Sequence, residues 1–132
     1  MNISNKERTY VFDIDGTICS ILEPGEKYSE VTPDLDMISI INTLYESDKN
    51  HIILHTARGM RTHGGDLSSI NRFVKPELET WLKTHNVKYH QLIMGKPWGP
   101  NVTYIDDKAQ TPDMFKFGIS EVLPLYDNGE NV

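Results

Sequence analysis

The chain has 132 residues, 38% hydrophobic and 24% charged, with a formal net charge of −6. That is the profile of one soluble globular domain, and it sets aside disordered, fibrous and membrane-spanning classes. The acidic balance argues against nucleic acid or an anionic membrane as partner, while leaving room for a local basic pocket that takes a small anion.

A chain of this length buries roughly 65–70% of its unfolded surface, enough for one core without disulfides or a structural metal. Cys19 is the lone cysteine, so an internal disulfide and a cysteine-rich zinc site are excluded, and a reducing compartment is the natural reading. The stretch Met1 to Arg8 is polar and charged, unlike a secretory signal, and no apolar run is long enough to span a bilayer. A cytoplasmic protein is expected.

In chain order, Thr9 to Ile14 is β-branched, aromatic and nearly continuous in apolar character, ending at Asp15-Gly16. It reads as a central strand buried on both faces. Thr32-Pro33-Asp34 predicts a helix start, with Thr32 as cap, Pro33 at the first helical position and Asp34 in the first turn. Met37, Ile40, Ile41 and Leu44 then give the apolar stripe of an amphipathic helix. His51 to Thr56 predicts a second strand, stopping at Ala57-Arg58-Gly59. Val74, Leu78, Trp81, Leu82 and His85 predict a second helix with Pro76 near its start. Gln91 to Met94 and Val102 to Ile105 predict a third and a fourth strand. Thr111-Pro112-Asp113 repeats the helix-start signature before a short helix at Met114 to Phe117, and Ile119 to Leu125 reads as an edge strand. Alternating strands and helices imply an α/β fold, a three-layer sandwich with a Rossmann-like, mostly parallel sheet, as a single domain over 1–132.

In such sheets ligands sit at the carboxyl ends of the strands. Asp13, Asp15, Thr56, Lys96, Asp106 and Asp107 all fall at or just after predicted strands, so the fold would gather them on one edge. A phosphomonoester is a dianion, and an attacking carboxylate is repelled unless a cation neutralises both. Clustered carboxylates supply oxygen ligands for Mg²⁺, a hard ion. Asp13 and Asp106 are the candidate metal carboxylates. Lys96 adds fixed positive charge, and Thr56 with the backbone N–H groups around Gly16 and Ala57 offers donors to phosphoryl oxygens. Gly16 allows close approach of the backbone.

Asp13-Ile-Asp15-Gly16-Thr17, Thr56 after an apolar strand, Lys96 and Asp106-Asp107 resemble the four motifs of the haloacid dehalogenase superfamily, in that superfamily's order. The resemblance implies that superfamily's fold and a Mg²⁺-dependent phosphatase. Asp13 would attack phosphorus to form an aspartyl-phosphate, and Asp15 would protonate the leaving alcohol and later activate water. The metal would be held by the Asp13 carboxylate, the Asp15 backbone carbonyl and Asp106, with Asp107 holding metal-bound water. Asp15 also separates phosphatases from that superfamily's dehalogenases, which lack this acid, and from its transport ATPases, which carry threonine there. Longer strings, His55-Thr-Ala-Arg-Gly-Met-Arg-Thr62, Met94-Gly-Lys-Pro-Trp98 and Tyr104-Ile-Asp-Asp107, resemble the small capless members associated with capsule biosynthesis or sugar phosphates. The partner implied is a small phosphomonoester.

The segment between Ile18 and Thr32 allows a short flap, with no room for a cap domain. An uncapped site can obtain walls from a neighbouring subunit, so a homo-oligomer is expected. Arg58 and Arg61 precede Gly64-Gly65 in a loop that can adjust around a ligand, and both are candidate substrate contacts; a solvated charged loop is the plainer reading. Trp98 could line the mouth of the site or simply pack at its rim. His51 and His55, about 13 Å apart on a strand, cannot share one metal ion, and Cys19 reads as a small packing residue. Taken singly, Asp-x-Asp-Gly, Lys96 and Thr56 would be surface features, and their weight lies in their joint order. Two alternatives remain. A signalling receiver domain also binds Mg²⁺ and is phosphorylated on aspartate, but carries its acidic pair early and its phosphoacceptor at mid-chain. A non-catalytic binding module would not need the full set of reactive residues.

Overall fold

The computed structural model describes residues 6–131; residues 1–5, part of the polar stretch noted above, and residue 132 lie outside the described residues. The chain divides into two compact units, Met1–Pro100 and Asn101–Val132.

The first unit is built on a three-stranded parallel sheet in the order β1-β2-β3, with β1 Arg8–Phe12, β2 Asn50–Thr56 and β3 Gln91–Met94. Register aligns Phe12 with Leu54 and Leu54 with Leu92, and Thr56 with Met94, so these side chains share one buried face. The central position belongs to β2 rather than to β1. Only the middle strand of three is flanked on both sides, and Asn50 to Leu54 are buried without a break. The motif after β1 is therefore carried by a flanking strand of this sheet. Parallel neighbours need helical crossovers, and α1 Leu35–Glu46 and α3 Lys75–Thr84 lie in the two connections. Met37, Ile41 and Leu44 of α1 and Leu78 and Leu82 of α3 are fully buried with Ile52 and Leu54 in one core.

Helix α1 starts two residues later than the Thr32 cap predicts. The Asp34 side chain accepts from the Met37 N–H at 3.0 Å, as an N-cap does. Thr32 is otherwise engaged: its N–H donates to Ser20 Oγ and its carbonyl accepts from the Ser20 N–H. Those two bonds close the base of the flap that runs from Ser20 to Thr32.

The path into α3 begins with α2, Leu67–Ser69, and passes through a widened π segment, Ile70–Val74, where the Lys75 N–H reaches the Ile70 carbonyl. Pro76 follows directly. Proline has no N–H and crowds the preceding turn, and a π-type widening relieves that crowding.

In the second unit α4, Pro112–Asn131, is a 20-residue helix. Thr111 Oγ1 accepts from the Met114 N–H at 3.3 Å, matching the predicted start. The edge strand expected at Ile119 to Leu125 is instead part of this helix, because Phe115, Ile119 and Val122 continue the helical spacing set by that start. Val102 to Ile105 forms no strand; among the described residues of this unit there is none for it to pair with, and a ladder exists only between partners. Among the described residues no cap domain is evident, and no helix is long and apolar enough to cross a membrane.

At the amino-terminal end of the sheet, His51 is fully buried and stacks on His90 at 5.0 Å, which stacks on Tyr45 at 4.5 Å. His90 Nδ1 accepts the Ile52 N–H at 2.9 Å, a role open only to the neutral ring's unprotonated nitrogen. Burial, then His51 and Lys6, lower the His90 pKa below its ordinary 6.5. A base with a lowered folded pKa contributes its full stability above its unfolded pKa, and loses it as the unfolded chain takes up the proton. The denaturation midpoint should therefore fall as pH drops from about 7.5 to about 5.5. In His90→Asn, whose side-chain oxygen can still accept the bond, that fall should be smaller. An equal fall in both proteins would place the acid sensitivity elsewhere.

Candidate active site

The chain leaves β1 into a turn wound around the Ile14 carbonyl, which accepts N–H donors from Thr17 and Ile18 at 3.0 and 2.8 Å. Ile14 is fully buried between Asp13 and Asp15, and this anchors the two flanking acids at the carboxyl end of the strand. Gly16 has φ +84, a left-handed conformation that a side chain rarely adopts, and its N–H closes the turn on the Cys19 carbonyl.

Three strand ends converge here. Thr56 ends β2, its side chain fully buried, and its carbonyl accepts the Lys96 N–H at 3.0 Å. Lys96 follows Gly95, which has φ +91 and whose added Cβ would lie 2.5 Å from Leu67 Cδ2. Beyond this turn, Lys96 Nζ lies 3.6 Å from Asp13 Oδ1. Burial raises the Asp13 pKa above its ordinary value, and Lys96 pulls against that. The Asp13 anion is therefore only partly compensated. His55 senses the same charges: burial and then Lys96 lower its pKa, while Asp13 raises it.

Asp15 is held separately. Arg58 Nη2 donates to its Oδ1 at 2.7 Å and Nε to its Oδ2 at 3.3 Å. The Arg58 side chain is 1% exposed, and its guanidinium lies 4.1 Å from the centroid of the Tyr28 ring. Its backbone N–H donates to Thr56 Oγ1 at 3.0 Å, leaving the threonine O–H able to donate elsewhere. Tyr28 belongs to a short 3-10 turn in the flap, Tyr28–Glu30, and sequence reasoning did not single it out. Cys19 Sγ sits 3.6 Å from Asp15 Oδ1, and burial pushes its thiol pKa up to about 12. It is a packed thiol and not a nucleophile.

Arg61, in contrast, is exposed and extends toward Trp98, with 5.9 Å between guanidinium carbon and ring centroid. Ala57 follows Thr56 directly. Asp106 and Asp107 belong to the second unit, where Asp106 Oδ1 accepts the Lys108 N–H at 2.9 Å.

Among the described residues no three His, Cys, Asp or Glu side chains group as a metal site. The donors that the sequence assigns to Mg²⁺ nonetheless fit it in kind. They are all oxygen, as a hard cation requires, and the half-buried, undercompensated Asp13 anion is a group that added positive charge would stabilise.

No family profile matches the sequence, and no curated protein matches it. Among solved structures, a structural-genomics target from Vibrio cholerae is 33% identical, with 93% of this chain and 99% of that one covered at a TM-score of 0.74. A chain of the Pnkp1/Rnl/Hen1 complex is 14% identical at a TM-score of 0.50, covering 85% of this chain and 34% of that one, a likeness of fold alone. A D,D-heptose 1.7-bisphosphate phosphatase from B. bronchiseptica, complexed with magnesium and phosphate, is 18% identical with 91% and 64% covered. Its TM-score of 0.47 is too low to carry an argument.

Proposed function

The chain belongs to the same family as the Vibrio cholerae protein and has an α/β fold with a parallel sheet, and from this footing, with its motifs resembling those of the haloacid dehalogenase superfamily, we propose that it is a Mg²⁺-dependent phosphomonoester hydrolase with Asp13 as nucleophile. The observation that carries the reading is the meeting, at the carboxyl ends of neighbouring parallel strands, of a half-buried aspartate, a lysine 3.6 Å from it and a buried threonine. One anion-attracting cation, one nucleophile and one hydroxyl donor at a single sheet edge suit phosphoryl transfer.

In this reading an Asp13 oxygen attacks phosphorus and the bond to the leaving alcohol breaks, with Asp15 giving that oxygen a proton. Asp15 then takes a proton from water as water attacks the aspartyl-phosphate, restoring both carboxyl groups and releasing phosphate. Lys96, the Thr56 hydroxyl and the Ala57 N–H hold the phosphoryl oxygens, while the Gly16 N–H, bonded to the Cys19 carbonyl, is used within the turn rather than on the ligand. The Asp13 carboxylate, the Asp15 backbone carbonyl and Asp106 would hold Mg²⁺, with Asp107 supporting its water. When bound, the ion supplies Lewis-acid charge neutralisation between nucleophile and substrate. Because the Asp15 side chain is engaged by Arg58, its carbonyl is the part left for a cation, which supports that division of roles.

The substrate proposed is a small phosphorylated sugar or other precursor of a surface polysaccharide. Its phosphate is handled by groups common to every phosphomonoester, so discrimination rests on what lies beyond it. Arg61 beside Trp98 is a pair suited to a hydroxyl-rich or carboxylate-bearing ring. Phosphate release across phosphorylated sugars, polyols and amino alcohols tests the activity; a stable phosphoaspartate without release would instead mark a receiver. With the best substrate identified, Arg61→Ala should lower kcat/KM for it by about tenfold, more than for phenyl phosphate. Equal losses would assign Arg61 to phosphate binding.

A further inference from the structure

Arg58 was expected to reach outward to substrate, yet it is the most deeply buried charge near the two aspartates. Its side chain is 1% exposed while that of Asp15 is 27% exposed. The fork meets both carboxylate oxygens, the ring of Tyr28 lies against the guanidinium, and Cys19 Sγ stands 3.8 Å from Nη2. A guanidinium so enclosed has little of its surface left for a ligand. As a source of stability the pair is poorly placed, since desolvating two charges offsets most of their attraction. What the fork does provide is orientation. An aspartate turns freely about two torsions, and fixing both oxygens leaves only the outward lone pairs to exchange a proton.

We propose that Arg58 is a positioning residue for Asp15, holding its carboxyl group in line for proton transfer, and that Tyr28 of the flap braces Arg58 in that pose. This rests on the phosphatase reading above. Arg58 itself transfers no proton. The Asp15 carboxyl donates to the leaving oxygen as the phosphorus–oxygen bond breaks and the Asp13–phosphorus bond forms, and the carboxylate recovers a proton from the attacking water. The flap thereby reaches the reacting proton through a guanidinium and needs no flap residue on the substrate.

Substituted phenyl phosphates that differ only in the acidity of the leaving phenol test this, because they carry no groups for a specificity loop to read. In the presence of Mg²⁺, kcat/KM reports the first phosphoryl transfer, and protonation of the leaving oxygen matters most where that phenol is a weak acid. Arg58→Lys keeps the charge but cannot fork. Its kcat/KM should fall by about 10²-fold for the poorest leaving group and far less for 4-nitrophenyl phosphate, steepening the leaving-group dependence. Arg58→Gln should behave alike, and Tyr28→Ala should shift the slope in the same direction by less. Thermal melts identify any variant that has not folded. Parallel loss along the series, with the wild-type protein active, would overturn the inference and leave the phosphatase reading standing. A wild-type protein inactive on the whole series would instead strike the reading itself. Crystal structures give a readout independent of activity: Asp15 should hold one orientation in the wild type and leave it in Arg58→Lys, and an unmoved Asp15 would equally overturn the proposal.

Discussion

Asp13→Asn is expected to release no phosphate from any phosphomonoester while remaining folded. The amide is nearly the same shape as the carboxylate but cannot attack phosphorus, and it brings no charge to a metal ion. The environment of Asp13 also fixes the sign of the stability effect. Burial raises its pKa against the pull of Lys96, so the folded protein holds the anion at a cost relative to the unfolded chain. An acid whose folded pKa is raised gains stability as pH falls through that pKa, and at neutral pH its anion is a liability. In metal-free buffer the melting temperature of Asp13→Asn at neutral pH should therefore match or exceed that of the wild type. Functional groups held at such a cost are a recognised exchange of stability for activity. A variant that is inactive because it is unfolded would not count in favour of the mechanism, and near wild-type turnover would end it.

Removing Mg²⁺ with a chelator should likewise take turnover to background, and adding the ion back should restore it. The physical reason is the meeting of two anions, a carboxylate nucleophile and a phosphate dianion, which Lys96 alone does not neutralise. Ca²⁺ should substitute poorly, because its larger and looser coordination does not enforce the octahedral geometry that Mg²⁺ demands. A second readout needs no substrate. Mg²⁺ bound by the native state should raise the melting temperature of the wild type, and raise it less in Asp13→Asn, which lacks a charged ligand. Full activity in excess chelator would exclude the metal from the reaction.

The parts of the fold that depend on local pattern were legible in the sequence. The apolar runs at Thr9 to Ile14, His51 to Thr56 and Gln91 to Met94 lie on the three strands, and the stripe Met37, Ile40, Ile41, Leu44 is the buried face of α1. Which strand is central was not legible, because a continuous apolar run marks burial but not order in the sheet. The start of α1 was misplaced because Thr32 looks like a cap in isolation, whereas its backbone is bonded to Ser20 across the flap. Ile119 to Leu125 is rich enough in β-branched and apolar residues to read as a strand, and the helix begun at Thr111 overrides that propensity. In the site, Asp13, Thr56 and Lys96 could be placed from motif order alone. The Arg58 to Asp15 fork could not, since its partners are 43 residues apart and no periodicity links a loop arginine to a turn aspartate. Tyr28 was hidden for the same reason: a single aromatic in a short flap carries no signal until the fold lays it on a guanidinium.

The central claim is that the phosphoryl group passes through Asp13. Acid-quenching the protein during steady turnover of its best substrate, then digesting it and weighing the peptides, tests this most directly. The account predicts one phosphoryl group on the peptide containing Asp13, labile to hydroxylamine as an acyl phosphate is, and absent from Asp13→Asn. Turnover that proceeds with no phosphorylated peptide, or with the phosphoryl group on another residue, would contradict it.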